Sequence, residues 1–131
     1  MNLPERFILV DEDPINNLII EHQIKTKIST DIEILSFESP QDGFDYITSY
    51  NDSKTGAQTV LFLDLNMPIF SGWDFLEKLE NLDHKITNQL TIYVSSSSLD
   101  NRDIDRANKI DLVKEYLIKP LTAERLIGLF N

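Results

Sequence analysis

The chain contains no cysteine. That excludes disulfides, thiolate zinc sites and cysteine nucleophiles, and it fits a reducing compartment. No apolar run approaches the ~20 residues needed to span a bilayer, so no membrane partner is expected. The N-terminal MNLPERF has no apolar signal core, and nothing in it directs secretion. Four glycines and five prolines are too scattered to make a linker, and apart from Ser95–Ser98 there is no low-complexity stretch or internal repeat. Basic residues are also scarce: 12 Lys and Arg face 22 Asp and Glu, a formal charge of −10. Such a surface repels the phosphate backbone of nucleic acid, so no nucleic-acid partner is expected. The same field attracts cations.

What is present is alternation. The 131 residues, 41% apolar and 26% charged, suit one domain with one core. Phe7–Val10 is a short apolar run that predicts a strand. Residues 14–28 carry Ile15, Leu18, Ile19 and Ile28 near a 3.6-residue period, which predicts a helix with these side chains on its apolar face. Asp13-Pro14 is a start signal for it, an Asx cap followed by proline at the first helical position. Ile32–Phe37 predicts a second strand, and Ser39-Pro40 opens a helix with Phe44 and Ile47 inward. Asn51–Gly56 predicts a loop, and Thr59–Leu63 a third strand. Ser71-Gly72 opens a helix carrying Phe75, Leu76 and Leu79. Leu90–Val94 predicts a fourth strand, followed by a weak polar helix from Asp100 to Asn108. Tyr116–Ile118 predicts a fifth strand, and Thr122 caps a last helix with Leu126, Ile127 and Phe130. Five βα units with continuous apolar strands imply an α/β class, a five-stranded parallel sheet doubly wound by helices on both faces.

In such a sheet all strand C-termini share one edge, and ligands bind there, where the strand order reverses. Asp11, Glu12 and Asp13 follow the first strand, Asp64 the third, Ser95 the fourth and Lys119 the fifth. Taken singly, each has a plain explanation: Asp13 as a helix cap, Asp64 as a turn residue, Ser95 as part of a loop, Tyr116 as a strand aromatic. Their coincidence at one edge points instead to phosphoryl transfer onto a carboxylate. A carboxylate serves as covalent nucleophile, and the reaction needs positioning and charge neutralisation more than acid–base chemistry. Hard carboxylate and carbonyl oxygens suit Mg²⁺. Asp11, Glu12, Asp64 and the backbone carbonyl of Asn66 are the candidate ligands, with Lys119 as a point charge and Ser95 as a hydrogen-bond donor.

These residues make the chain resemble the receiver domains of two-component response regulators. The likeness rests on ILVDED (Ile8–Asp13), LFLDLNMP (Leu61–Pro68), SGWDFL (Ser71–Leu76), IYVSS (Ile92–Ser96) and EYLIKP (Glu115–Pro120), and it covers essentially the whole chain. The resemblance implies the (βα)5 flavodoxin-like receiver fold, a cytoplasmic location and Asp64 as phosphoacceptor. It makes Asp11 and Glu12 the Mg²⁺-binding acidic pair, completed by Asp64 and the Asn66 carbonyl. Ser95 and Lys119 would contact the phosphoryl group, Tyr116 would be the aromatic switch, and Lys119-Pro120 a cis peptide. The side chains of Asn66 and Ser97 would flank the hydrolytic water. The partners implied are a sensor histidine kinase or His-phosphotransfer protein and a downstream protein. The chain would not be an enzyme beyond catalysing its own phosphorylation and dephosphorylation.

Two departures stand out. Glu12 replaces the commoner Asp, so coordination through water is expected there. Ser95 replaces the commoner Thr, which keeps the hydroxyl but loses the methyl that restricts its rotamer. The last helix leaves no room for an output domain, and residues 1–131 are expected to be a stand-alone receiver. Two alternatives come from other classes. One is a phosphate-independent binding module of the same fold. The other is a phosphatase of the haloacid-dehalogenase type with Asp11 as nucleophile and Asp13 as acid/base, which leaves Asp64-x-x-Met-Pro unexplained.

Overall fold

Five runs rich in Val, Ile, Leu and Phe pair into one all-parallel sheet. The strands are β1 (Arg6–Val10), β2 (Glu33–Phe37), β3 (Thr59–Asp64), β4 (Leu90–Ser96) and β5 (Val113–Ile118). The helices are α1 (Pro14–Lys27), α2 (Pro40–Ser49), α3 (Gly72–Glu80), α4 (His84–Thr87), α5 (Asn101–Asn108) and α6 (Ala123–Gly128). The structure, a computed structural model, describes residues 3–49 and 58–131. The polar stretch Asn51–Gly56, expected to be a loop, lies outside them.

The sheet order is β2-β1-β3-β4-β5. It reverses between β1 and β3, so the crevice of this doubly wound sheet falls between the end of β1 and the end of β3. Every residue of β3 is buried, as expected of a central strand covered on both faces. Side chains alternate between two cores. Phe7, Leu9, Val60, Phe62 and Tyr93 pack with Ile20 and Ile24 of α1 and Leu126 and Phe130 at α6. Ile8, Val10, Leu61, Leu63 and Val94 pack with Ile47 of α2, Phe75, Leu76 and Leu79 of α3 and Ala107 of α5.

The predicted helix starts hold. Asp13 caps α1, accepting from the Ile15 N–H at 2.9 Å, and Ser71 forms a capping box with Asp74. Thr122 caps α6. The expected apolar face of α1 holds only at Ile28, which packs against the core. Ile15, Leu18 and Ile19 are 65%, 64% and 50% exposed. The helix turns Asn17, Ile20 and Ile24 inward instead, because Ile20 and Ile24 fit the core beside Phe7 and Leu9 while Asn17 bonds the main chain below it. A sixth helix, α4, was not expected. Four residues after an Asp83 cap show no apolar period.

Candidate functional site at the C-terminal edge of the sheet

Two acids frame the crevice. Asp11 leaves β1 just past Val10, and Asp64 ends β3. Both are buried, 4% and 6% exposed. Between them lies Lys119, delivered by the end of β5. Its Nζ is 2.8 Å from Asp11 Oδ2 and 3.2 Å from Asp64 Oδ1. The Lys119–Pro120 peptide is cis, as the resemblance implies, and the Lys119 N–H donates to the Ser96 carbonyl at 2.9 Å. The ammonium thus bridges two carboxylates that sit 53 residues apart in sequence.

Electrostatics follow from that grouping. Burial and the Asp11 charge hold the Asp64 carboxyl above the usual carboxylate range, against the pull of the Asn66 N–H and Lys119. Burial alone would lower the Lys119 ammonium. The Asp11 hydrogen bond and the charges of Asp64 and Asp11 outweigh it, and the amine is held above its ordinary range. Both directions describe one arrangement, like-charged acids held together by a cation.

The other expected residues fall around this triad. Ser95 lies opposite Asp64 in the β3–β4 register and is buried. The Asn66 N–H closes an Asx turn onto Asp64 Oδ1 at 3.1 Å. Its side chain, expected near the hydrolytic water, donates from Nδ2 to Ser96 Oγ at 2.6 Å. Ser97 is exposed. Tyr116 is 9% exposed, and its hydroxyl donates to the Ser98 carbonyl at 2.9 Å. Glu12 is exposed, and among the described residues no three acidic, His or Cys side chains gather as a ready metal centre. Asp13 is occupied as a cap.

Sequence reading missed three polar side chains. Asn16 Nδ2 donates to Asp11 Oδ2 at 2.7 Å, Asn17 Nδ2 to the Asp11 carbonyl at 3.0 Å, and Ser96 holds Asn66. A signal existed for the first two: consecutive asparagines inside a helix are poor helix formers and imply a side-chain task.

The residues fit a divalent cation. Two buried carboxylates already converge on one cation, Lys119, and Mg²⁺ needs few protein oxygens because it keeps several waters. Two surface cavities of about 420 and 450 Å³ are lined by other residues than Asp11, Asp64 and Lys119.

The family model described as response regulator receiver domain matches residues 7–131. None of the curated proteins compared matches the chain. Among solved structures, a two-component response regulator from Cytophaga hutchinsonii is 27% identical with a TM-score of 0.85, over 99% of this chain and 96% of that one. A response regulator receiver protein from Dyadobacter fermentans is 26% identical with a TM-score of 0.82, over 95% and 93%. A chemotaxis protein from Vibrio cholerae, 13% identical with a TM-score of 0.75 over 97% and 96%, shares the fold.

Proposed function

The chain belongs to the response regulator receiver family of two-component signalling, and from that premise we propose that it accepts a phosphoryl group on Asp64. The donor is a phosphohistidine on a sensor histidine kinase or His-phosphotransfer protein. The observation that carries this reading is the Lys119 ammonium within reach of both Asp11 and Asp64 at the switch point of the sheet.

One carboxylate oxygen of Asp64 attacks phosphorus as the P–N bond to the donor imidazole breaks. Asp64 is presented rigidly, since β3 is buried throughout and the Asn66 N–H fixes one oxygen. Lys119 neutralises charge on the arriving group. Asp11, Asp64 and the Asn66 carbonyl would hold Mg²⁺, with Glu12 reaching it through water. The chemistry Mg²⁺ supplies when bound is neutralisation of the phosphoryl oxygens. The Ser95 hydroxyl then donates to the phosphoryl group, and Tyr116, already buried with its hydroxyl on the Ser98 carbonyl, gives up that bond and repacks. That shifts α5, β5 and α6 between two states. A downstream protein reads the shift. Water later cleaves the acyl phosphate, so the chain catalyses only its own phosphorylation and dephosphorylation.

The test is intact mass after incubation with acetyl phosphate. One added phosphoryl group that requires Mg²⁺ is expected. Absence of the adduct, together with no response of Trp73 fluorescence to beryllofluoride, would sink the reading in favour of a phosphate-independent binding module.

The exposed Ile15, Leu18 and Ile19 are the surface on which the donor docks. They begin four residues past Asp11 and present apolar area beside the acceptor. A few interface residues carry most of the binding energy, at ~2 kcal/mol or more for each hot spot. Leu18→Asp is expected to leave acetyl phosphate labelling unchanged. Transfer from a phosphohistidine protein that labels the wild type should fall tenfold or more. Equal transfer rates would place docking elsewhere.

A further inference from the structure

Asp11 is held more completely than any other acid of the site. Its Oδ1 accepts from the Asp13 N–H at 2.8 Å. Its Oδ2 accepts from Asn16 Nδ2 at 2.7 Å and from Lys119 Nζ at 2.8 Å. Its backbone carbonyl accepts from Asn17 Nδ2 at 3.0 Å. The start of α1 therefore grips both carboxylate oxygens and the main chain. Two consecutive asparagines in a helix lose helix propensity relative to almost any ordinary pair, and these two contacts are what they provide in return.

We propose that Asn16 is a positioning residue for Asp11 and thereby sets the affinity of the acidic pair for a divalent cation. This rests on the receiver reading above and adds a residue that the acidic motif does not contain. The two donors on Oδ2 differ in kind. Lys119 carries a charge on a flexible stem, and a cation entering between the acids takes over its electrostatic role. Asn16 is neutral, fixed to the helix and half-buried, so it neither repels a cation nor has to leave. It holds one lone pair of Oδ2 and keeps the carboxylate on the point that Lys119 shares with Asp64. Hydrogen-bonded partners of ligating carboxylates carry about 10–100-fold in metal affinity.

The experiment is calorimetric titration of Mg²⁺ into the full chain, wild type and Asn16→Ala, beside thermal unfolding of both without metal. Alanine is the better helix former, and Ile20 and Ile24 still anchor α1, so the variant folds. The expected result is Mg²⁺ binding weakened about tenfold or more with little change in the metal-free midpoint. Affinity within twofold of the wild type would overturn the proposal and leave Asn16 a structural residue. Tighter binding would overturn it in the other direction, making Asn16 a competitor for Oδ2. A wild-type chain that binds no Mg²⁺ would overturn the metal assignment itself, a failure distinct from an unchanged Asn16→Ala beside a binding wild type.

Discussion

Asp64→Asn is expected to abolish Mg²⁺-dependent labelling by acetyl phosphate while making the metal-free protein more stable at neutral pH. The first effect is all-or-none. An amide is no nucleophile toward phosphorus, and two of the remaining acids near the edge are engaged, Asp11 by three donors and Asp13 as the α1 cap. Labelling that survives would move the acceptor away from Asp64. The second effect follows from burial and from the Asp11 charge, which raise the Asp64 carboxyl. A raised carboxyl binds its proton more tightly folded than unfolded. Its contribution to stability is therefore fully present below the ordinary carboxylate range and is lost as pH rises through the raised value. At neutral pH the ionised group is a net cost, which asparagine removes. A rise in melting midpoint of roughly 2–4 °C is the scale of a one-kcal/mol change in a domain near this size. The advantage should shrink as pH falls through the raised value toward the ordinary range. Thermal unfolding with a chelator across that window checks it, and a variant less stable at neutral pH would contradict the burial argument. Added Mg²⁺ should reverse the ranking, because binding to the folded state stabilises only the chain that retains the site.

Gly72→Ala is expected to destabilise the fold by about 3 kcal/mol or more, at or beyond the usual cost of overpacking, and to depress phosphorylation of what remains folded. A Cβ on Gly72 would lie 2.4 Å from the Asp64 carbonyl oxygen and 2.6 Å from Leu65 Cα. Both obstacles are backbone, at the end of the strand that carries the acceptor, so relief must displace Asp64 or α3. The Gly72 N–H also donates to the Leu65 carbonyl at 3.2 Å, a contact that ties the start of α3 to this point. The glycine in Asp64-x-x-Met-Pro-x-x-x-Gly72 is thus a close-approach residue. Gly128→Ala is the control: nothing lies within 4 Å of its added Cβ, and stability unchanged or raised by up to ~1 kcal/mol is expected there. Chemical denaturation of both variants decides it. Similar stabilities would show that β3 and α3 separate at little cost.

The fold class was legible because strand and helix signals are local. Apolar runs bounded by Asp13-Pro14, Ser71-Gly72 and Thr122 mark element starts that the structure keeps. Chain order and right-handed crossovers then place the strand ends on one edge, which is why Asp11, Asp64 and Lys119 could be grouped across 108 residues of sequence. Strand limits were less exact: β5 begins at Val113 rather than Tyr116, since Lys114 and Glu115 interrupt the apolar run. The four-residue α4 is too short to show a period.

What the amino-acid order determined by itself is therefore the five βα units, the parallel doubly wound class of their sheet and the residues that follow the strands at its edge. Tertiary structure alone decided which way α1 faces, leaving Ile15, Leu18 and Ile19 exposed and Ile20 and Ile24 in the core. It alone decided that Asn16 holds Asp11, that Ser96 holds Asn66 and that Tyr116 rests on Ser98. A helix period states that one side is apolar, but the rotation of the helix is set by the surface that receives it. Side-chain hydrogen bonds of this kind depend on positions within a few tenths of an ångström, which only the packed chain supplies.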